Sequence, residues 1–198
     1  MTNKQAMFRL QRVADAAAAR KIDRTRHKCF VSYHADDMLE VETFIDDFGS
    51  EFIARSVGVT VEDDFIDSDD PEYIKRRIRE EYLTDSTVTI VLLGKCTWSR
   101  KFVDWEISSS LRNDTNNRRN GLLVYPLPSM NNSATLPGRI GDNWTEGDQA
   151  ASYARYRTYP ASAPAIRSNI ESAFSDRTSK GHLVDNSRVL RERSSSCS

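Results

Sequence analysis

Polar side chains gather at the end of a short apolar stretch in the first quarter of the chain. Ser32, Tyr33, His34 and Asp37, which follow the apolar part of KCFV, offer hydroxyls, an imidazole and a carboxylate. The stretch predicts a strand, and ligand sites of open α/β sheets lie outside the carboxyl ends of strands. We therefore expect one wall of a binding site here. The alternatives are Tyr33 as a core side chain with its hydroxyl at the rim, His34 as a structural histidine and Asp37 as a helix cap.

A second cluster follows the most apolar run of the chain. Thr87–Leu93, TVTIVLL, shows no polar alternation, which predicts a strand covered on both faces, as in a parallel sheet flanked by helices. The corner after this strand carries Trp98 and Ser99, and a helical pattern with Phe102 and Glu106 follows. Trp98 could stack on a planar ligand or could cover the end of the sheet. The carboxyl end of this strand is the second place where we expect a site.

Glu106 is the carboxylate best placed for chemistry. On the predicted helix, Val103, Ile107 and Leu111 form the buried stripe, and Glu106 lies about 100 degrees around the axis from it. This residue is therefore expected at the edge of the buried face. The alternative is an ordinary glutamate in solvent, because charged residues mostly face water.

The chain alternates between strand and helix patterns that would position these clusters. Predicted strands are Lys28–Tyr33, Val57–Val61, Thr87–Leu93 and Gly121–Leu127, and predicted helices are Asp37–Arg55, Glu72–Tyr82 and the helix that carries Glu106. Alternation of this kind predicts an α/β fold with a parallel sheet and helices on both faces. No Gly-rich fingerprint follows the first strand, which argues against a dinucleotide fold of Rossmann type.

Residues 28–175 form the predicted domain, and the flanking segments differ from it in composition. Residues 1–27 predict an N-terminal helical extension because alanine and arginine dominate there. The stretch 129–165 is rich in Ser, Asn, Gly and Pro and predicts a loop-rich insertion. Residues 176–198, which end in RERSSSCS, have the composition of a disordered tail. The acidic stretch Glu62–Asp70 predicts a mobile loop.

The charge balance and the cysteines restrict the class of protein. Lys and Arg total 28 and Asp and Glu total 29, so neither nucleic acid nor an anionic membrane is an expected partner. No run approaches the roughly 20 apolar residues that span a bilayer. Cys29, Cys96 and Cys197 have neither paired nor zinc-type spacing. We expect a cytoplasmic protein without a disulfide or a metal site.

Three motifs, FVSYHADD, TVTIVLLG and TWSRKFVDWEI, together resemble those of TIR-like domains, in particular the TIR-like protein of the bacterial Thoeris antiphage system. The resemblance covers residues 28–127. Its most specific part is an aromatic residue, a small residue, two variable positions and a glutamate, here Phe102, Val103 and Glu106. Many TIR domains have Trp and Cys at the first two of these positions, so Phe102 and Val103 depart from the commoner form. The resemblance implies a flavodoxin-like parallel sheet.

TIR enzymes cleave the bond between nicotinamide and ribose in NAD, and some of them cyclise the ADP-ribose product into a signal. The resemblance implies that NAD is a substrate, that no cofactor is needed and that Glu106 is the catalytic carboxylate. It also implies a set of substrate-binding residues: Ser32, Tyr33, His34, Asp37, Trp98, Ser99 and Phe102.

Two kinds of function follow from the resemblance. As an enzyme, the protein would act in antiphage defence, either by consuming NAD or through a nucleotide product that activates a separate effector. As a non-enzymatic interaction module, it would keep the fold and the acidic loop and would self-associate through TIR-like surfaces. The module would not need Glu106 in an accessible pocket.

Overall fold

The computed structural model describes residues 26–57, 73, 80, 83, 85–114 and 118–197. Four predicted features lie largely or wholly outside these residues: the N-terminal helical extension 1–27, the strand Val57–Val61 beyond its first residue, the acidic loop Glu62–Asp70 and most of the helix Glu72–Tyr82.

Five parallel strands form one sheet. The strands are β1 (Lys28–Ser32), β2 (Ile53–Val57), β3 (Val88–Leu93), β4 (Gly121–Pro126) and β5 (Arg155–Tyr156), in the spatial order β2-β1-β3-β4-β5. Every neighbouring pair is parallel. All six residues of β3 and all six of β4 are buried, as expected of strands covered on both faces. The predicted flavodoxin-like α/β fold is confirmed.

Helices cover both faces of this sheet. They are α1 (Met38–Phe48), α2 (Lys101–Leu111), α3 (Gly138–Gly141) and α4 (Ala163–Ser179), with short 3-10 helices at Ala35–Asp37, Thr97–Ser99, Pro128–Met130 and Gly181–Leu183. Alternate strand residues point to opposite faces. Thus Val88, Ile90 and Leu92 of β3 share one apolar cluster with α1 and α4, whereas Val91 and Leu93 share another with α2 and α3.

Helix α1 is shorter than its sequence pattern indicates. The predicted helix ran to Arg55, but α1 ends at Phe48, and β2 begins at Ile53, before the predicted start at Val57. Phe48 and Phe52 are four positions apart, as on one face of a helix, but Phe52 lies beyond the end of α1. Both rings pack near Phe44, so the spacing alone does not show that the helix has ended.

The stretch 129–165, predicted as a loop-rich insertion, contains core residues and structured elements. Helix α3 and strand β5 lie within it, and Ile140, Tyr153 and Ala154 are fully buried in the α2-side cluster. Tyr153 also donates a hydrogen bond of 2.5 Å to the carbonyl of Asn120. Strand β5 has only two residues, too few to give a periodic signal.

The predicted disordered tail is placed against the domain. Helix α4 continues to Ser179, beyond the predicted boundary at 176, and residues 185–197, which we call the C-terminal strap, lie along α2. The indole Nε1 of Trp105 donates to the carbonyl of Arg191 at 2.9 Å, and the amide of Ser195 donates to the carbonyl of Ser99 at 3.0 Å. The composition of this segment predicted disorder because it has no periodic apolar pattern. The strap is held instead by long-range hydrogen bonds, which composition does not reveal.

The strap ends in a disulfide with the corner that precedes α2. Cys96 and Cys197 are bonded, although they are 101 positions apart in sequence. The expectation that the cysteines do not pair is therefore wrong for this pair, because spacing in sequence carries no information about a tail that returns to the domain. Cys29 is the free, buried cysteine of β1. Among the described residues, no helix is long and apolar enough to cross a bilayer.

Candidate functional site

The strand order reverses direction between β1 and β3. From β1 the chain proceeds through α1 to β2 on one side, and from β3 it proceeds through α2 to β4 on the other. The two helices consequently lie on opposite faces, and the switch between them falls at the carboxyl ends of β1 and β3. Ligands of open α/β sheets bind at such a topological switch point. Ser32, the last residue of β1, lies there.

The side chains of Ser32 and Glu106 meet at this switch point. The Ser32 hydroxyl donates a hydrogen bond of 2.5 Å to Oε2 of Glu106. Ser32 is fully buried and Glu106 is 1% exposed. Hydrogen bonds between a hydroxyl and a carboxyl oxygen are strong at this distance, so the contact fixes the side chain of Glu106 relative to the end of β1.

Helix α2 positions Glu106 through buried contacts on nearly all sides. Val103, Ile107 and Leu111 pack into the α2-side cluster, as the sequence pattern indicates. The Ser110 hydroxyl donates to the carbonyl of Glu106 at 2.8 Å, and its oxygen lies 2.6 Å from that of Thr89 on β3. Glu106 therefore lies inside the fold, rather than in solvent as an ordinary helix glutamate would.

Tyr33 belongs to the core more than to an open site. It is 4% exposed, and its hydroxyl lies 3.7 Å from Sδ of Met38. Burial raises the pKa of Tyr33, with further contributions from the charges of Glu106 and Glu42. The ring thus packs in the α1-side cluster, and its hydroxyl stays protonated at neutral pH.

Asp37 lies against the end of β3. A Cβ at Gly94 would meet the Asp37 carboxylate at 2.1 Å, so only glycine permits this approach. Thr97 donates to Asp37 Oδ2 at 3.3 Å and accepts from the amide of Gly94 at 2.9 Å. Burial raises the pKa of Asp37 to about 6, offset partly by the hydrogen bond from Thr97.

The predicted cap role of Asp37 does not match its contacts. Asp37 occupies the N-cap position of α1, but its side chain makes no capping hydrogen bond. Instead it joins α1 to the corner after β3, through Thr97.

His34 lies beside Asp37 at the end of β1. Burial lowers the pKa of His34, and the positive charge of Arg100 lowers it further, while Asp36 raises it. Nε2 of His34 lies 3.3 Å from the largely exposed carboxylate of Asp36 but at angles that make no hydrogen bond. The lowered pKa favours a neutral imidazole at pH 7.

The corner residues have different surroundings. Ser99 is buried and donates to the carbonyl of Cys96 at 2.8 Å, which closes the 3-10 turn. Phe102 packs edge-on against Trp105 with ring centroids 5.3 Å apart. Trp98 is partly exposed in the same turn. Of the predicted site residues, the structure joins Ser32 directly to Glu106. Ser99 is instead hydrogen-bonded to the backbone of the corner. Trp105, which packs against Phe102, is hydrogen-bonded to the backbone of the strap.

Arg100 is a residue of this region that the sequence did not single out. It lies between the 3-10 turn and α2, and its charge acts on both His34 and Asp37. The signal for it in the sequence was the motif TWSRKF, which places an arginine in the corner where a site was predicted. Among the described residues, no cluster of three or more His, Cys, Asp or Glu side chains could hold a metal ion.

Comparison with known families finds a match. The family described as Thoeris protein ThsB, TIR-like domain, matches residues 30–132, just over half of the chain. The chain belongs to this family. Neither the curated proteins nor the solved structures gave a match.

The matched region of the ThsB TIR-like family contains both sides of the switch point. It runs from β1 through α2 and β4 and includes Ser32, Asp37, Arg100 and Glu106. Helices α3 and α4 and the C-terminal strap lie outside it. Membership supports a TIR-like function related to antiphage defence.

Proposed function

We propose that this protein cleaves the bond between nicotinamide and ribose in NAD, with Glu106 as the catalytic carboxylate. The supporting observation is the hydrogen bond of 2.5 Å between Ser32 and Glu106 at the topological switch point of the sheet. A carboxylate held at the place where α/β folds bind ligands suits a reaction that develops positive charge.

One carboxylate is sufficient for this chemistry. Nicotinamide leaves a cationic ring as a neutral molecule, so no acid has to protonate the leaving group, unlike in an ordinary glycosidase. The ribose becomes oxocarbenium-like and needs a negative charge nearby. Single preorganised electrostatic contacts of this kind contribute about 3 to 4 kcal/mol to stabilising the transition state.

Ser32 is proposed to orient the carboxylate. Its hydroxyl donates to Oε2 and so favours one orientation of the Glu106 side chain. Replacing Ser32 with alanine would remove that donor but leave the negative charge in place. The Ser32→Ala variant should therefore retain partial activity, whereas Glu106→Gln should lose nearly all of it.

The second candidate function is a non-enzymatic TIR-like interaction module. The observation that favours it is the 1% exposure of Glu106, because a buried Ser–Glu pair can equally stabilise the packing of α2 on β1. Under this alternative, Glu106 has no contact with NAD and its replacement alters only stability.

Release of nicotinamide from NAD distinguishes the two functions. Purified protein is incubated with NAD, alone and with extract of phage-infected cells, and nicotinamide is quantified by chromatography. The enzyme should release nicotinamide in at least one condition, and Glu106→Gln should not. If the wild-type protein releases none in either condition while it remains folded, the interaction module is the better account.

The fate of the ADP-ribose part is resolved in the same reaction. Mass spectrometry separates linear ADP-ribose from a cyclic product, which is lighter by one water molecule because the ribose carbon bonds to the molecule itself instead of to water. We propose that a cyclic product would reach a separate effector, and that a linear product would mean depletion of NAD as the defence.

A further inference from the structure

Arg100 is one of three arginines with a buried Nε that has no hydrogen-bond partner among the described residues, and of the three it lies at the switch point. Its Nε is fully buried, yet it has no hydrogen-bond acceptor, and no hydrogen bond or ion pair joins its guanidinium to any residue that the structure describes. Leaving a buried donor of a charged group unpaired is costly, so such groups normally have a partner. An anionic ligand would supply that partner.

His34 also has a buried nitrogen, Nε2, without a hydrogen bond within the described part of the chain, although this nitrogen lies 3.3 Å from the carboxylate of Asp36. His34 follows β1 and Arg100 precedes α2, so both residues lie at the carboxyl ends of the strands, and the charge of Arg100 acts on His34. Two neighbouring residues with buried, unsatisfied nitrogens are suited to an anion with several acceptor oxygens.

The position of Arg100 relative to Glu106 indicates which anion fits. Arg100 is the N-cap of α2 and Glu106 lies in its second turn, so the backbones of the two residues are about 9 Å apart along the helix axis. With the carboxylate of Glu106 at the glycosidic carbon of the nicotinamide ribose, a cation at the far end of that ribose would face its C5′ side. In NAD, the group attached there is the pyrophosphate, and arginine binds phosphate oxygens through a planar fork.

We propose that Arg100, together with His34, binds the pyrophosphate of NAD and thereby selects dinucleotides over unphosphorylated nicotinamide ribosides. This inference rests on the proposed NAD cleavage and names the residues that would recognise the substrate. Asp37 lies near the same guanidinium, and Thr97 already donates to its carboxylate, so Arg100 remains available for the ligand.

Comparison of two substrates tests the subsite. Nicotinamide release is measured from NAD and from nicotinamide riboside, which lacks phosphate, for wild type, Arg100→Ala and Arg100→Lys. Arg100→Ala should lower kcat/KM for NAD by about 10- to 100-fold, the effect of losing a charge-assisted hydrogen bond. Cleavage of nicotinamide riboside should stay within about twofold of wild type. Arg100→Lys, which keeps the charge without the fork, should fall between them.

Lys95→Ala is the matched control, because Lys95 is an exposed cation of the same corner. It should leave the preference for NAD unchanged. Equal losses with both substrates in Arg100→Ala, or no loss with either, would overturn the subsite.

Binding of ADP-ribose separates failure of the subsite from failure of the proposed reaction. If wild type releases nicotinamide from neither substrate, the proposed reaction fails, and calorimetry with ADP-ribose then decides the subsite. Binding to wild type that weakens at least tenfold in Arg100→Ala supports it. Equal affinity, or no binding to the wild-type chain, contradicts it.

Discussion

Helices α1 and α2 are both 11 residues long and pack on opposite faces of one sheet, but they bury different chemistry. Helix α1 buries Val41, Phe44, Ile45 and Phe48 and leaves its polar residues toward solvent. In α2, every residue from Val103 to Leu111 is buried, including two carboxylates and three consecutive serines.

The difference shows that the two helices are held by different forces. Burying polar groups without partners is costly, whereas apolar burial is favourable without any specific geometry. The buried groups of α2 have specific partners: Ser32 donates to Glu106, and Arg139 donates to both oxygens of Asp104 at 3.0 and 3.2 Å. Helix α2 is therefore fixed in one position, which a catalytic carboxylate requires.

The largest expected effect is at the buried ion pair of Arg139 and Asp104. Arg139 is fully buried and also donates to the carbonyl of Arg188 in the strap. Arg139→Ala leaves Asp104 buried without its cation and should lower the free energy of unfolding by about 3 to 5 kcal/mol. Phe44→Ala on α1 should cost a similar amount, about 3 to 5 kcal/mol, through a cavity. Urea unfolding measures both.

Two further variants separate the mechanisms of these losses. The double replacement Asp104→Leu with Arg139→Met should recover much of the stability, because an apolar pair has no unpaired charge. Arg188→Ala, which breaks an exposed pair with Asp142, should cost only about 0 to 1 kcal/mol. A loss in Arg188→Ala as large as in Arg139→Ala would show that the buried position of Arg139 is not the cause.

A smaller effect is expected at the disulfide that ties the strap to the corner before α2. Cys197→Ser should lower the free energy of unfolding by about 2 to 4 kcal/mol, since the link restricts the unfolded chain. A reductant should lower wild type to the level of the variant and leave the variant unchanged. If the reductant destabilises both proteins equally, the bond does not contribute in solution.

The smallest effect is the pH dependence that Asp37 introduces. Because burial raises the pKa of Asp37 from 3.8 to about 6, the folded state holds more protons than the unfolded state between these values. Wild-type stability should therefore fall relative to Asp37→Asn as the pH rises from 4 to 6, and the difference should stay constant above that range. Urea unfolding at three pH values measures this difference.

Asp36→Asn is the matched control for that measurement, because it removes a neighbouring carboxylate that is largely exposed. A pH-dependent difference of the same size in Asp36→Asn would attribute the effect to general charge at the start of α1 rather than to burial of Asp37.

Local patterns in the sequence predict the central elements well. The unbroken apolar run of β3 and the stripe of Val103, Ile107 and Leu111 on α2 follow from periodicity alone. The rule that parallel sheets bind ligands at carboxyl ends brought Ser32 and Glu106 to the same edge, although 74 residues separate them.

The remainder depends on contacts that periodicity does not encode. Arg139 meets Asp104 across 35 positions, and Trp105 meets the strap at Arg191 across 86. Neither Arg139 nor Arg191 lies in an apolar repeat, so composition alone assigned their segments to a loop-rich insertion and a disordered tail. The burial of Nε of Arg100 likewise becomes visible only in the folded structure.

The central claim is that the carboxylate of Glu106 acts on NAD and does not merely stabilise α2. Glu51→Gln is a matched control, because Glu51 is also buried and paired, with Arg167, but precedes β2 at the opposite edge of the sheet. Both variants are compared at equal concentrations of folded protein, measured by urea unfolding. Nicotinamide release should fall at least about 100-fold in Glu106→Gln and stay within about threefold of wild type in Glu51→Gln. Wild-type release by Glu106→Gln, or equal losses in both variants, would contradict the claim.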